Sequence, residues 1–164
     1  MKNIKLQKMT IEDYNDYILS AITSYETDLL LSGRFDTEQA AHEFAVWEYK
    51  DVFKNGFCTL NTYLYNIAVN KQKVGILWFL NEDKDGFPGE AFIGDFLIYE
   101  IYRKKGYGYQ ALLLAEDLAK NQGLTEMRLG VMNHNIKAKK LYIRAGYTVF
   151  KEREHDCIMR KFLL

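Results

Sequence analysis

The residues of this 164-residue chain best suited to chemistry are Arg103-Lys104-Lys105-Gly106-Tyr107-Gly108. Three consecutive cations precede two glycines, and a helix-forming stretch follows. Successive backbone N–H groups and the positive end of a helix dipole can converge there on one anion, and Gly106 and Gly108 let the backbone approach it closely. Three charges suit a polyphosphate, although exposed Lys and Arg contribute little individually in water, so the backbone matters more than the charges. An ordinary solvated turn has the same composition, and a short glycine motif alone does not separate the two. A dinucleotide-binding fingerprint is excluded because Gly-x-Gly-x-x-Gly is not completed, Ala111 standing where the third Gly or Ala could fall. A Walker loop is excluded because no Gly-Lys-Ser/Thr follows.

A second segment separates the readings: Asn135-Ile136-Lys137-Ala138-Lys139-Lys140-Leu141-Tyr142-Ile143-Arg144-Ala145-Gly146-Tyr147. The first segment matches the pattern Arg/Gln-x-x-Gly-x-Gly/Ala. The second, after an intervening helix and strand, matches Asn-x-x-Ala-x-x-Leu-Tyr-x-x-x-Gly-Phe/Tyr. In this order and spacing the two resemble the GNAT superfamily of acetyl-CoA-dependent N-acetyltransferases. The close resemblance runs from about Val74 to the C-terminus; the earlier part agrees only in its pattern of one strand and two helices.

The resemblance implies acetyl-CoA as cosubstrate and assigns roles to particular residues. Phe96, Leu97 and Ile98 would pair with the pantetheine arm as a pseudo-strand. Arg103 opens the loop in which Lys104, Lys105, Gly106, Tyr107, Gly108 and Tyr109 would hold the pyrophosphate. A backbone N–H near Ile98 would stabilise the oxyanion as an amine attacks the thioester. Asn135 would hydrogen-bond the cofactor, although Asn is also a good helix N-cap. Tyr142 would face the cofactor sulfur as general acid; without the motif it reads as a core aromatic on an amphipathic helix. A phenol of pKa ~10 is a weaker acid than a thiol of ~8.5, so full proton transfer is uphill by ~2 kcal/mol. Hydrogen-bond stabilisation of the departing thiolate is the safer description.

The acceptor must also lose a proton, because an amine of pKa ~10.4 is almost wholly protonated at pH 7. Two carboxylates are candidates for the base. Asp95 lies inside an apolar strand, where an ionised group is costly unless paired, and Glu90 stands at the mouth of that strand. A structural hydrogen-bond partner and a solvated turn residue are their respective alternatives. Some GNAT proteins carry Glu on the strand before the Asn helix, where this chain has Gly130, which puts a protein N-terminus as acceptor in doubt.

These residues need a scaffold, and the pattern of the chain supplies one. Ile4 and Leu6 alternate with polar residues as a first strand. Thr10-Ile11-Glu12-Asp13 has the form of a capping box, and Tyr14, Tyr17, Ile18 and Ala21 share one helical face. After Ser32-Gly33-Arg34, Asp36 with Gln39 signals a second helix with Ala40, Phe44 and Trp47 as its buried stripe. Tyr63, Tyr65, Ile67 and Val69, a turn at Asn70 to Lys73, and Val74 to Leu80 form a hairpin. A polar turn over residues 81–89 leads to a central strand, Ala91 to Tyr99, apolar on both alternations. A helix from Gly106 to Gln122, a strand through Met127, Leu129 and Val131, the Asn135 helix ending at Gly146, and strands over Tyr147 to Phe150 and Ile158 to Leu163 complete the chain. The expected fold is α/β: a GNAT-like mixed, mostly antiparallel central sheet flanked by helices, in one domain over residues 1–164.

Composition bounds the function. Hydrophobic residues at 48% and charged residues at 27% describe a globular chain. Lys plus Arg equals Asp plus Glu at 22 each, so neither nucleic acid nor an anionic membrane is expected as partner. The first residues lack an apolar run of signal-peptide length, and Cys58 and Cys157 are isolated, so the expectation is a cytoplasmic protein with free thiols. His42, His134 and His155 are scattered without metal-ligand spacing, so no metal is predicted. The leading expectation is an enzyme acetylating a primary amine of a small molecule or peptide, and the rival is a sensor that binds acyl-CoA without turnover. A homodimer is compatible with the resemblance, but no heptad shows one. Tyr25, Glu26, Arg34 and Trp78 are conceivable acceptor-pocket residues.

Overall fold

The computed structural model describes residues 3–81 and 89–164. Alternating Ile4–Lys8 forms β1, an edge strand. Thr10 then caps α1, Ile11–Leu31: its hydroxyl accepts from the Asp13 N–H, and the Asp13 carboxylate accepts from the Thr10 N–H. The predicted capping box is therefore present. The second helix, α2, spans Glu38–Val52, and its cap is Thr37 rather than Asp36, the Thr37 hydroxyl accepting from the Ala40 N–H. The expected stripe of Ala40, Phe44 and Trp47 is rotated by about one position. Ala41 and Ala45 are fully buried against Leu29 of α1, while Trp47 is 56% exposed. Two alanines let the helices approach more closely than an indole would.

The hairpin joins β2, Thr62–Val69, to β3, Gln72–Leu80. Asn70 and Lys71 both take positive φ, 49° and 68°, the backbone handedness that matches the twist of a two-residue hairpin turn. Of the polar turn expected next, residues 82–88 lie outside the described residues. The central strand β4 spans Glu90–Ile98. It is followed by one 3-10 turn, Glu100–Tyr102, so the basic loop does not follow the strand directly. Helix α3, Tyr107–Asn121, strand β5, Glu126–Met132, helix α4, Ile136–Arg144, and strands β6, Thr148–Glu152, and β7, Asp156–Phe162, complete the order.

Among the described residues seven strands form one sheet in the order β1-β2-β3-β4-β5-β7-β6. Every pairing is antiparallel except β4 with β5, which matches the mixed, mostly antiparallel sheet expected. Alternation along the strands divides the core. Leu77, Phe79, Ala91, Ile93 and Leu129 face a cluster that includes Ala111 and Leu112 of α3 and Tyr142 of α4. Leu64, Ile76 and Trp78 face Tyr14, Tyr17 and Ala21 of α1. Among the described residues no helix is long and apolar enough to cross a membrane.

Two irregularities in β4 shape its open end. Its ladder to β5 runs only from Glu90↔Glu126 to Ile93↔Leu129, after which the two parallel strands separate. On the other edge, Trp78 pairs with Asp95 while Phe79 pairs with Ile93, so Gly94 is the extra residue of a β-bulge. Bulges re-aim side chains, and this one turns Asp95 onto the face occupied by Trp78 and α1.

Candidate active site

A cleft of about 1240 Å3 occupies the wedge where β4 and β5 part, lined from α1, α2, β4, β5, α4 and β6. Asp95, Phe96, Leu97, Asn135 and Tyr142 all reach it. Glu90 does not belong to this group. It sits where β4 and β5 are still paired, and Arg128 Nη2 donates to its Oε1 at 2.9 Å while Arg128 Nε donates to Glu126 at 2.8 Å. Five residues of extended chain, roughly 17 Å, separate it from Asp95. It meets a buried guanidinium at the paired end of the wedge, and the structure does not bring it together with Asp95 and Tyr142.

Beyond the last β4–β5 pair, the β5-facing edge of Phe96, Leu97 and Ile98 is available to an extended ligand, as the pseudo-strand expectation requires. Their side chains divide between the two faces. Phe96 and Ile98 pack on the α3 and α4 side, and Leu97 packs with the α1 cluster. The Ile98 carbonyl accepts from Arg103 Nε at 2.8 Å, so Arg103 ties the basic loop to the strand rather than pointing a free cation outward. Lys105 reaches back similarly, its Nζ 3.3 Å from the Ile101 carbonyl and 5.5 Å from the Tyr102 ring centre.

The loop itself has the backbone form of an anion nest. Lys104 and Gly106 take positive φ, 59° and 81°, and Gly106 is the N-cap of α3 with no side chain to satisfy the first turn. Gln110 N–H bonds to the Gly106 carbonyl as the first intrahelical bond, so the amides of Gly108 and Tyr109 precede the helical ladder and are aimed outward from the helix start. Gly108 is also where the two sequence signatures meet. A Cβ there would lie 3.3 Å from Leu141 Cδ2 of α4 and 3.6 to 3.7 Å from Ile98 and Phe96. The Arg144 guanidinium stands 5.0 Å from the Tyr109 ring centre. Strand end, loop and α4 thus form one packed unit, and its residues fit a bound nucleotide thioester: an extended edge for an amide-bearing arm and an uncapped helix start for phosphate.

Asn135 caps α4, its Oδ1 accepting from the Ala138 N–H at 3.1 Å. The N-cap reading is thus present in the structure, and the exposed carboxamide still faces the cleft. Tyr142 is 6% exposed, with its ring 6.4 Å from Phe96 and 6.0 Å from Tyr147. Burial and then the charge of Asp95 push its phenol well above the ordinary range. At any working pH it is protonated, which makes it a hydrogen-bond donor and excludes it as a base.

Asp95 has partners that sequence reasoning missed. Tyr17 of α1 donates to its Oδ2 at 2.8 Å, and Trp78 Nε1 donates to the Tyr17 hydroxyl at 2.6 Å. The neighbouring Phe96 backbone amide also favours the carboxylate anion. Burial raises the Asp95 pKa from its ordinary value, and the Tyr17 and Phe96 donors hold it down in part. The accessible signal was indirect: an Asp inside an apolar strand must find donors, and Tyr17 is a phenol on a buried helix face. Of the conceivable pocket residues, Tyr25, Arg34 and Trp78 line the cleft, whereas Glu26 accepts from or pairs with His42 Nδ1 at 2.9 Å outside it. Among the described residues no group of three or more His, Cys, Asp or Glu could hold a metal.

Comparison with known proteins agrees with this geometry. The sequence model of the Acetyltransferase (GNAT) family matches residues 24–147. The uncharacterized N-acetyltransferase YycN of Bacillus subtilis is 32% identical over 161 residues, covering 98% of this chain and 99% of YycN. Its crystal structure superposes with a TM-score of 0.85 over 92% of this chain and 96% of that one. YdgE of the same organism, also an uncharacterized N-acetyltransferase, is 31% identical over 88% of this chain and 91% of YdgE. The PaiA N-acetyltransferase of Thermoplasma acidophilum, solved in complex with coenzyme A, shares the fold at a TM-score of 0.71 and 21% identity, covering 98% and 99% of the two chains. With the family's sequence model spanning most of the chain and YycN aligning along nearly its full length, this protein belongs to the GNAT family of acetyltransferases.

Proposed function

We propose that this protein transfers the acetyl group of acetyl-CoA to a primary amine of a small molecule or peptide by direct attack of the amine on the thioester. The observation that carries the reading is that Asp95 and Tyr142 line the same cleft, in the wedge where β4 leaves β5. The first can accept a proton and the second can only donate one.

The nest at Gly106 binds the pyrophosphate, and the free edge of β4 orients the pantetheine arm and its thioester. The acceptor enters as an ammonium. Asp95, ionised above its raised pKa, takes one proton, directly or through water, and the nitrogen lone pair then attacks the thioester carbon. A β4 backbone N–H near Ile98 faces the developing oxyanion. As the new C–N bond is completed the C–S bond breaks. The second nitrogen proton ends on sulfur, with the Tyr142 hydroxyl stabilising the thiolate by hydrogen bonding, and Asp95 returns its proton to solvent. Because Tyr142 is raised even above a free phenol, its proton is shared rather than fully transferred.

The test is release of CoA thiol from acetyl-CoA against a panel of putrescine, spermidine, a lysine peptide, an alanine N-terminal peptide and an aminoglycoside, with Asp95→Asn as control. Turnover of at least one amine, lost in Asp95→Asn, is the expected result. Tight acetyl-CoA binding with no turnover of any amine would establish a sensor instead.

A further inference from the structure

The hydroxyl of Tyr17 occupies a position that the proposed reaction does not yet use. It stands between three groups: Asp95 Oδ2 at 2.8 Å, Trp78 Nε1 at 2.6 Å and the Tyr49 hydroxyl at 3.5 Å. An indole N–H can only donate, so the Tyr17 oxygen accepts from Trp78. Its own hydrogen is then committed to the better acceptor at the shorter distance, the Asp95 carboxylate. The direction of the chain is fixed: Trp78 to Tyr17 to Asp95.

The surroundings hold this chain rigidly. Trp78 is 4% and Tyr17 8% exposed. The Trp78 ring lies over Gly94, where an added Cβ would fall 1.8 Å from its Cη2, and Phe53 packs on it edge-on with centroids 5.0 Å apart. The bulge that creates Asp95's orientation therefore also seats the indole that orients Tyr17. Neither helix α1 nor the indole would need such a fit if Tyr17 were only filling space. The groups facing Asp95 are Tyr17 and Asp28 from α1, Tyr49 from α2 and Tyr142 from α4. Three are phenols, neutral at working pH, and the one charge is another carboxylate. Short hydrogen bonds, not a cation, are what favour the Asp95 anion.

We propose that Tyr17 is a positioning residue for the transfer reaction: its hydroxyl, fixed by Trp78, holds the Asp95 carboxylate as an oriented anion with one lone-pair region left toward the acceptor. The inference rests on the assignment of Asp95 as the base. Loss of the Tyr17 donor removes a hydrogen bond to an ion, so the Asp95 midpoint should rise by about one pH unit. Trp78→Phe, which leaves Tyr17 in place but unpolarised, should move it in the same direction by about half as much.

The direct test needs no acceptor: titration of Asp95 by carboxyl 13C NMR in protein labelled with [γ-13C]aspartate, the signal assigned by its loss in Asp95→Asn. Tyr17→Phe is expected to raise the midpoint by about one unit. The acid limb of kcat/KM for the best amine of the panel should move equally, with the KM for acetyl-CoA unchanged. A Tyr17 that served only packing would lower activity at every pH and leave both midpoints in place. If Tyr17→Phe does not yield folded protein, Trp78→Phe provides the same readout. A folded variant whose Asp95 midpoint stays put overturns the positioning role. Full activity in Asp95→Asn would overturn the base assignment instead, so the two failures are distinct.

Discussion

Gly94→Ala is a one-carbon perturbation with a calculable consequence. The new Cβ would lie 1.8, 2.0 and 2.4 Å from three carbons of the Trp78 ring, against a normal carbon contact of about 3.5 Å. The ring must move by more than an ångström, or the bulge must open. Trp78 is not a flexible neighbour: it is buried, packed against Phe53, and tethered through Nε1 to Tyr17. Overpacking of this kind costs about 1–3 kcal/mol, and breaking the indole hydrogen bond adds about 1 kcal/mol. A total of roughly 2–4 kcal/mol corresponds, at 2–4 °C per kcal/mol for a chain of this length, to a fall in Tm of roughly 5–15 °C. Thermal unfolding followed by circular dichroism reads the stability. Tryptophan fluorescence reads the indole, whose environment should change. Because the same movement pulls Tyr17 from Asp95, turnover should drop more than acetyl-CoA affinity. A Tm within about 1 °C of the parent and an unchanged emission spectrum would refute the bulge geometry on which the site is built.

Three further outcomes follow from the same structure. Tyr142→Phe removes one hydroxyl from a buried ring and should lower kcat by roughly 10- to 100-fold with CoA affinity, measured calorimetrically, nearly intact; unchanged turnover across pH would remove its role toward the thiolate. Gly106→Val forces a β-branched residue into φ 81° at a cost of about 1–3 kcal/mol, so CoA affinity should fall at least about tenfold, whereas Gly106→Asn, which tolerates that region, should retain most of it; equal affinity in the valine variant would contradict the loop assignment. Asp13, hydrogen-bonded first by Lys73 and then by Thr10 and Asn66, is held at about 2. A carboxyl lowered on folding adds stability above its unfolded value that is lost as pH falls through the folded one, so Asp13→Asn should be less stable by about 1–2 kcal/mol at pH 6, allowing for the solvent screening of Lys73, and most of the gap should be lost as urea titrations approach pH 2.

Much of this architecture was legible because local signals and tertiary outcome agree. The Thr10 to Asp13 box, the Asn70 turn and the alternation of β2 and β3 are decided by nearest neighbours, and each appears where expected. The α2 stripe was misplaced because Ala40, Phe44 and Trp47 are as helical in spacing as Ala41 and Ala45. The choice between the two faces depends on how closely α1 can approach. The place of Glu90 was hidden for a related reason. From sequence it marks a strand's end, but whether that end is the open or the closed side of the wedge depends on β5, whose pairing stops at Leu129.

The proposed base illustrates why motif and site part company. The loop and the α4 helix are written in sequence because their work is done by backbone geometry near each residue: a positive φ at Gly106, an uncapped first turn, a cap at Asn135. The proposed proton chemistry is distributed instead. Tyr17, Trp78 and Asp95 are separated by 61 and 78 residues along the chain in their two hydrogen bonds to Tyr17, and no spacing rule joins them. β5 carries Gly130 where a carboxylate could stand, and the bulge at Gly94 turns Asp95 of β4 into the cleft. In the reaction proposed here, one extra residue in a strand, made possible by a side chain of a single hydrogen, places the base on β4 rather than on β5.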